Sequence, residues 1–361
     1  MRDRGPLTRD RKIDESNLAD SLNILVLINA DEAALNRLRV AVPGARVAAG
    51  PSFNITGDKG HVPGELLRDV DCLLCEQPPR NFDDFRQLKF MQLSSAGYSQ
   101  IFGLPLLERG IRVCNARGSF DIPIAEWNVM MLLAWHRNLP GMLENQRHRV
   151  FDAGAQFQQE FRGSVVGFYG YGGLARETAR LCKSLGVTVW ALTRDGTIKA
   201  RENTYCVPGA GDPDGRYCDR VFPVANKAEF FAGLDYLILA VPITAASAGI
   251  IGEAELRMLP SHAVLINPAR AGLVEEDVLL RCLTEGWIRG ATFDVHYAYP
   301  LPPEHPLWSL PNLMLTPHIA GAGLNQHYLE RTLDIFIQNL ERMQSGRPLL
   351  NELTPAQIRG E

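Results

Sequence analysis

The sequence predicts an α/β protein of two domains, each built on a parallel sheet. Three observations predict it. The chain has 361 residues, more than one hydrophobic core usually organises. Short apolar runs alternate with helical stretches in two separate series. The second series opens on a glycine hexapeptide set between a strand and a helix, a placement that brings bare backbone close to a phosphate.

The N-terminal stretch "MRDRGPLTRDRKIDESNLADS" is polar and lacks the apolar core of a signal peptide. It reads as a mobile tail over residues 1–20. The first series follows, with strand candidates "NILVLIN", "ARVAAG", "DCLLCE", "LKFMQLSS" and "IRVCNA". Within it, Cys72 and Cys75 resemble a redox or metal pair. The period of a strand sends them to opposite faces, so they are read as core residues and no metal is expected.

Next comes "DIPIAEWNVMMLLAWHRNLPGMLENQRHRV", read as a long helix. Asp121 can cap it and Pro123 falls in its first turn. Its broad apolar face holds Ile124, Trp127, Met130, Met131, Leu132 and Trp135, and calls for a large partner, another domain or another subunit. The second series starts at Val165, with strands "VVGFYG", "VTVWALT", "DYLILAV", "AVLINPA", "GATFDV" and "LMLTP". A Gly/Pro/Asp-rich stretch between Arg194 and Val221 shows no periodicity, and loops of that length are functional or mobile. The final helix, "QHYLERTLDIFIQNLERMQSG", sets Leu329, Leu333, Phe336, Ile337 and Leu340 on one face, and Gly346 stops it.

Composition narrows the function classes. The net charge of −4 gives no basic excess for nucleic acid or an anionic membrane. No run reaches the roughly 18 apolar residues of a spanning helix. Seven cysteines, odd in number and irregularly spaced, fit reduced thiols and a cytoplasmic protein.

Gly170-Tyr171-Gly172-Gly173-Leu174-Ala175 fits G-x-G-x-x-G/A, the Rossmann fingerprint. Gly170 permits the turn, Gly172 lets a pyrophosphate approach, and Ala175 lets helix and strand pack closely. The next strand ends in Thr193-Arg194, where an NAD site would have an acid on the ribose diol. A hydroxyl and a guanidinium suit a 2′-phosphate better, so NADP is favoured over NAD. Asp195 follows one or two positions late. The other reading leaves Arg194 as a solvated strand end, with NAD accepted.

The segment "FDVHYAYPLPPEHPLW", before "LTPHIAG", puts two His, two Tyr, one Asp and one Glu within sixteen residues. Together with "LINPARAG" it resembles the D-2-hydroxyacid dehydrogenases. The resemblance runs from about Ile122 to Ala322 and continues more weakly into the first domain, at "MQLSSAGYSQI". It implies a Rossmann dinucleotide-binding domain (118–322) flanked by a flavodoxin-like substrate domain (21–117 with 323–361). The active site would lie in the cleft, and two copies would form a homodimer through the long helix.

By the same resemblance Arg270 binds the substrate carboxylate and polarises the carbonyl, and His318 is the general acid/base. Asp294 holds the nicotinamide carboxamide. Ser95, Ala96 and Gly97 offer backbone amides to the substrate carboxylate. Val241, Pro242 and Pro268 join Tyr171, Gly173 and Leu174 around the cofactor. The chain departs from the family at Tyr299, where the family has Glu paired with the histidine. A phenol offers no charge near neutral pH, so His318 should titrate near its ordinary value of about 6.5.

Three consequences are open. Glu304 reaches in as a substitute; or Tyr299, His296 and Tyr297 shape a pocket for an unusual 2-keto acid; or hydride transfer is lost and the chain is a nucleotide-binding scaffold or sensor. The second is favoured, because Arg270 and His318 are intact. The substrate is a small 2-keto or 2-hydroxy acid. Its identity would depend on loops such as "GPSFNITGDKGHVPGE" and on the aromatic segment.

Overall fold

The computed structural model describes residues 22–53, 60–154, 159–321 and 326–361. The polar tail, and residues 54–59 of the specificity loop named above, lie outside the described residues.

The first sheet is formed by β1 (Asn23–Leu27), β2 (Arg46–Ala49), β3 (Cys72–Cys75), β4 (Phe90–Leu93) and β5 (Arg112–Cys114). Helices α1 (Glu32–Ala41) and α2 (Gly64–Leu67) lie between its strands in the chain. Its strand order is β2-β1-β3-β4-β5, the flavodoxin-like order, and every pairing is parallel. Both faces of its central strands β1, β3 and β4 are covered, so these are buried nearly throughout rather than alternating, while the edge strand β2 is mostly exposed. Ile24, Val26, Cys72 and Leu74 face one apolar cluster, while Leu25, Leu27, Leu73 and Cys75 face another. Cys72 and Cys75 therefore sit on opposite sides of the sheet. Burial pushes the Cys72 thiol up to about 12, which suits a core residue rather than a reactive thiol.

The remaining elements are, in order, α3 (Asp121–His136), α4 (Leu139–Arg147), β6 (Val165–Tyr169), α5 (Gly173–Ser184), β7 (Thr188–Thr193) and β8 (Arg220–Pro223). Then come α6 (Lys227–Ala232), β9 (Tyr236–Leu239), α7 (Glu253–Met258), β10 (Val264–Asn267), α8 (Glu276–Thr284) and β11 (Gly290–Phe293). The chain ends with β12 (Leu313–Leu315), α9 (Gln326–Gln344) and α10 (Pro355–Arg359). The second sheet has the order β12-β11-β10-β9-β6-β7-β8. Counted from β6 as strand one, this is the Rossmann order with a seventh strand added. All its pairs are parallel. Strand order reverses between β6 and β9, and a ligand crevice opens beyond the strand ends at such a point. The long helix α9 returns to the first sheet, where Leu333, Phe336, Ile337 and Leu340 join the cluster under β1 and β3.

Three expectations change. The helix from Asp121 is not continuous: α3 stops at His136, Asn138 takes a left-handed φ of 51°, and α4 begins afresh. Asp121 does not cap α3. It is the first helical residue, Phe120 precedes it as N-cap, and its carboxylate turns to Arg201 instead. The partner of α3's apolar face is helix α5 together with the second sheet beneath it. Trp127, Met131, Leu132 and Trp135 pack with Val166, Phe168, Ala175 and Ala179, while Met130 stays exposed.

The stretch from Arg194 is neither bare nor without structure. It ends in β8, an edge strand closed by Pro223, where a missing N–H costs nothing. Its body is pinned to α5. The buried Arg176 guanidinium donates to the carbonyls of Tyr171, Lys199, Asp212 and Pro213. The buried Asp212 carboxylate accepts from the Tyr171 hydroxyl and from the Arg216 and Tyr217 amides. Further along, Tyr205 packs against Ala116, Ile335 and Leu350, and the Asn203 carbonyl accepts from Asn351 N at 2.8 Å. The loop thus ties the glycine turn to the first sheet's side of the molecule.

Candidate active site

Arg270, His296, Tyr299 and His318 line one cavity of about 220 Å³ with Ile243, Ala271 and Gly272. Each comes from the C-terminal side of a strand of the second sheet. Arg270 and Ala271 follow β10, His296 and Tyr299 follow β11, and His318 follows β12. Gly97, after β4 of the first sheet, meets Arg270: a Cβ there would lie 2.2 Å from Nη2. The guanidinium is therefore pressed against the backbone of the Ser95–Gly97 loop. That loop is held by its own bonds. Ser95 Oγ donates to the Gly97 carbonyl at 2.8 Å and accepts from Gln100 Nε2 at 2.8 Å, and Asn115 Nδ2 donates to the Ala96 carbonyl at 2.7 Å.

Arg270 keeps Nη1 on the Ala269 carbonyl at 2.7 Å. Burial lowers its pKa from the ordinary value, but a guanidinium stays charged. One edge of the fork is anchored, and the rest faces the cavity.

His318 has a φ of 59°, a conformation that costs a non-glycine residue roughly 1–3 kcal/mol. Asp294 holds that turn in place. Its buried carboxylate accepts from Thr316 Oγ1 at 2.5 Å, Ile319 N at 2.9 Å and Ala320 N at 2.8 Å. Two of the three donors use Oδ1, so Oδ2 keeps a lone pair for one more donor. Asp294 is first of all the residue that positions the histidine loop, a role the sequence did not reveal.

Nδ1 of His318 is buried without a hydrogen-bond partner among the described residues. Tyr299 does not supply one. Its ring lies against the imidazole, with centroids 5.4 Å apart, while its hydroxyl accepts from the His296 amide at 3.1 Å. Glu304 is exposed and makes no contact with His318, so it is not the substitute carboxylate. The expected titration near the ordinary value is corrected downward. Burial, then the Arg270 charge, lowers the His318 pKa, and Asp294 opposes them.

His296 donates from Nε2 to the Thr316 carbonyl at 2.9 Å, since a carbonyl only accepts. Its Nδ1 is a second buried ring nitrogen without a partner. Tyr297, expected in the pocket, is not there. It packs against the core under β10 and β11, and its hydroxyl donates to the Val274 carbonyl at 3.0 Å.

The glycine turn fits a pyrophosphate. Gly170 has a φ of 89°, and a Cβ there would lie 2.6 Å from Val241 Cγ1 and 2.9 Å from the Ala240 carbonyl. A Cβ on Gly172 would meet only the Ala240 carbonyl, at 3.9 Å, so that face of the turn is open. Helix α5 has no side-chain cap, which leaves its first N–H groups for an anion. Ala175 is fully buried against the sheet. At the end of β7 the Thr193 hydroxyl is without a partner and Arg194 is exposed. Asp195 is engaged in its own turn, accepting from Thr197 and pairing with Lys199 at 2.9 Å. Val241 lies against the turn, Pro242 is exposed and Pro268 is buried after β10.

Ile243, Ala271 and Gly272 were not picked out from the sequence. Ala271 and Gly272 adjoin Arg270, and that adjacency was the available signal. Ile243 carried none.

Comparison with known proteins agrees with this geometry. Residues 129–320 match the family described as D-isomer specific 2-hydroxyacid dehydrogenase, NAD binding domain. A glyoxylate reductase of Thermofilum pendens is 29% identical over 307 residues, covering 82% of this chain and 83% of the relative. A glycerate dehydrogenase of Methylorubrum extorquens is 26% identical over 298 residues, covering 79% and 86%. A D-isomer specific 2-hydroxyacid dehydrogenase from Xanthobacter autotrophicus, solved with NADPH and MES, superposes with a TM-score of 0.73 at 24% identity, covering 94% and 99%. The match to the family model spans more than half of the chain, and with the two sheets and the glycine turn it leads to one conclusion: the chain belongs to the D-isomer specific 2-hydroxyacid dehydrogenase family.

Proposed function

We propose that the protein reduces a small 2-keto acid to its D-2-hydroxy acid, and runs the reverse reaction, with a nicotinamide cofactor. The observation that carries this reading is the convergence of Arg270 and His318 on one cavity, with the Ser95–Gly97 loop behind Arg270. The cavity, about 220 Å³, is below the roughly 300–1,000 Å³ of drug-sized sites and suits a short acid.

The free edge of the Arg270 fork binds the carboxylate and draws charge toward the carbonyl oxygen. Ser95, Ala96 and Gly97 complete the carboxylate site with backbone amides. A bound nicotinamide supplies the hydride. His318 gives a proton to the carbonyl oxygen as charge develops there, and in the oxidative direction takes it back. Gly170, Tyr171, Gly172, Gly173 and Leu174 hold the dinucleotide, and Asp294 offers its remaining lone pair to the carboxamide. NADP is favoured over NAD, because Arg194 is exposed at the strand end while Asp195 is tied to Thr197 and Lys199.

Tyr299 and His296 replace a carboxylate with an aromatic wall, which selects the substrate's side chain. The division into a dinucleotide domain (118–322) and a substrate domain (21–117 with 323–361) follows the two sheets. Among the described residues no helix is long and apolar enough to cross a membrane. Seven free cysteines fit a reducing cytoplasm.

The test is NADPH and then NADH oxidation at 340 nm with glyoxylate, hydroxypyruvate, phenylpyruvate and branched 2-keto acids. Turnover that falls by orders of magnitude in both Arg270→Ala and His318→Ala is the expected result. Tight cofactor binding with no turnover on any acid would instead favour a nucleotide-binding scaffold.

A further inference from the structure

The loop after β7 delivers a guanidinium to the glycine turn. Gly173 is the first residue of α5. A Cβ on it would lie 2.5 Å from Arg201 Nη1 and 1.9 Å from Asp121 Oδ2. The position that opens the helix thus carries no side chain of its own, and the Asp121 carboxylate and Arg201, 28 residues further on, share the space. The backbone of Arg201 is fixed on both sides. Lys199 is held through its carbonyl by Arg176 at 2.6 Å, and Asn203 through its carbonyl by Asn351 at 2.8 Å. Arg201 is therefore preorganised at the centre of a short strap.

Its present partner is a weak one. The bond from Nη1 to Asp121 Oδ2 is 3.4 Å, long against the roughly 2.7–2.9 Å of a charge-assisted pair. It is the only hydrogen bond of the Arg201 side chain among the described residues. The other charges nearby do not absorb it. Arg176 is used up on backbone carbonyls, and Glu177 on Arg180 and the Gly211 amide. Arg117 is close enough for its charge to be felt with that of Arg201. Arg201, and Arg117 from further away, thus face a single carboxylate that burial pushes toward its neutral form, and that carboxylate stands beside a helix start with no side-chain cap.

We propose that Arg201 is a cofactor-binding residue that leaves Asp121 to grip the pyrophosphate of the dinucleotide at the start of α5. This rests on the dinucleotide-dependent reading above. Asp121 then acts as the placeholder that keeps the guanidinium in position while no anion is bound.

The test measures calorimetric dissociation constants for NADPH, NADH and ADP-ribose on the intact protein and on Arg201→Ala, Arg201→Lys and Asp121→Asn. Loss of one charged hydrogen-bond partner predicts weakening of about 10- to 100-fold in Arg201→Ala, shared by all three ligands. Arg201→Lys should recover part of it. Asp121→Asn should tighten all three several-fold, and that gain should vanish in the Asp121→Asn/Arg201→Ala double variant. Unchanged affinities in Arg201→Ala would overturn the proposal, as would a loss confined to NADPH, which would put Arg201 on the 2′-phosphate. If Arg201→Ala does not fold, Asp121→Asn and Arg201→Lys carry the test, and unchanged affinity in both overturns it. Failure of the unaltered protein to bind any of the three would overturn the dinucleotide reading itself, and this proposal with it.

Discussion

His318 combines a strained backbone, a buried ring and an unpartnered Nδ1. Burial and Arg270 both favour its neutral form. A reductase needs the imidazolium, so the rate of keto-acid reduction should fall as pH rises through the His318 pKa, below the ordinary 6.5 or so. Oxidation needs the neutral ring and should rise over the same range. The kcat/KM profile reports the free protein and is the measurement to make. Tyr299→Glu places a carboxylate beside the imidazole, and an opposite charge that close moves a pKa by roughly 1–3 units. The reductive limb should shift upward by that order, and an unmoved limb would separate Tyr299 from the histidine's titration. Asp294→Ala removes the acceptor for three loop donors. It should cut kcat by far more than it lowers thermal stability, because the loop that aims His318 loses its hold while the sheet stays intact.

At the level of elements, the strands and the glycine turn were legible because their signals are local. An apolar run flanked by turn residues is a buried strand wherever it occurs, and Gly170 is required by its φ of 89°. Gly170→Ala should therefore strain the turn and push on Val241 and the Ala240 carbonyl. Cofactor affinity should drop steeply, read by titration, with the first sheet's stability unchanged. Arg270, His318 and the Ser95–Gly97 loop were legible through resemblance, but the close approach of Arg270 to Gly97 was not, since no pattern in one segment encodes its distance to another. The loop from Arg194 was the least legible element. Its order comes from single buried polar anchors, Arg176 and Asp212, rather than from periodicity. Arg176→Ala leaves several buried carbonyls unsatisfied. It should cost about 2–4 kcal/mol, seen as an earlier urea transition, and weaken cofactor binding along with it.

For the whole molecule, the apolar face of α3 raised the question of what covers it. Helix α5 and the second sheet of the same chain cover most of that face. The uncovered remainder is Met130 and, beyond the break at Asn138, five more side chains. Met130 of α3, Leu139, Met142 and Leu143 of α4, and Val150 and Phe151 after it are exposed, Phe151 almost fully at 99%. A run of six large apolar side chains open to water is more than scattered surface residues account for. The break lets α4 turn away from the core and present these side chains outward. A second copy offering the same surface would bury both at once, since a two-fold interface is self-complementary. The protein should therefore sediment at twice the chain mass. Leu143→Asp combined with Phe151→Asp should give a monomer that keeps its far-UV circular dichroism. The residues that line the cavity of Arg270 and His318, from Ile243 to His318, lie outside this exposed surface. Cofactor affinity should thus survive dissociation, and a monomer that no longer binds NADPH would show that the second copy supports the crevice.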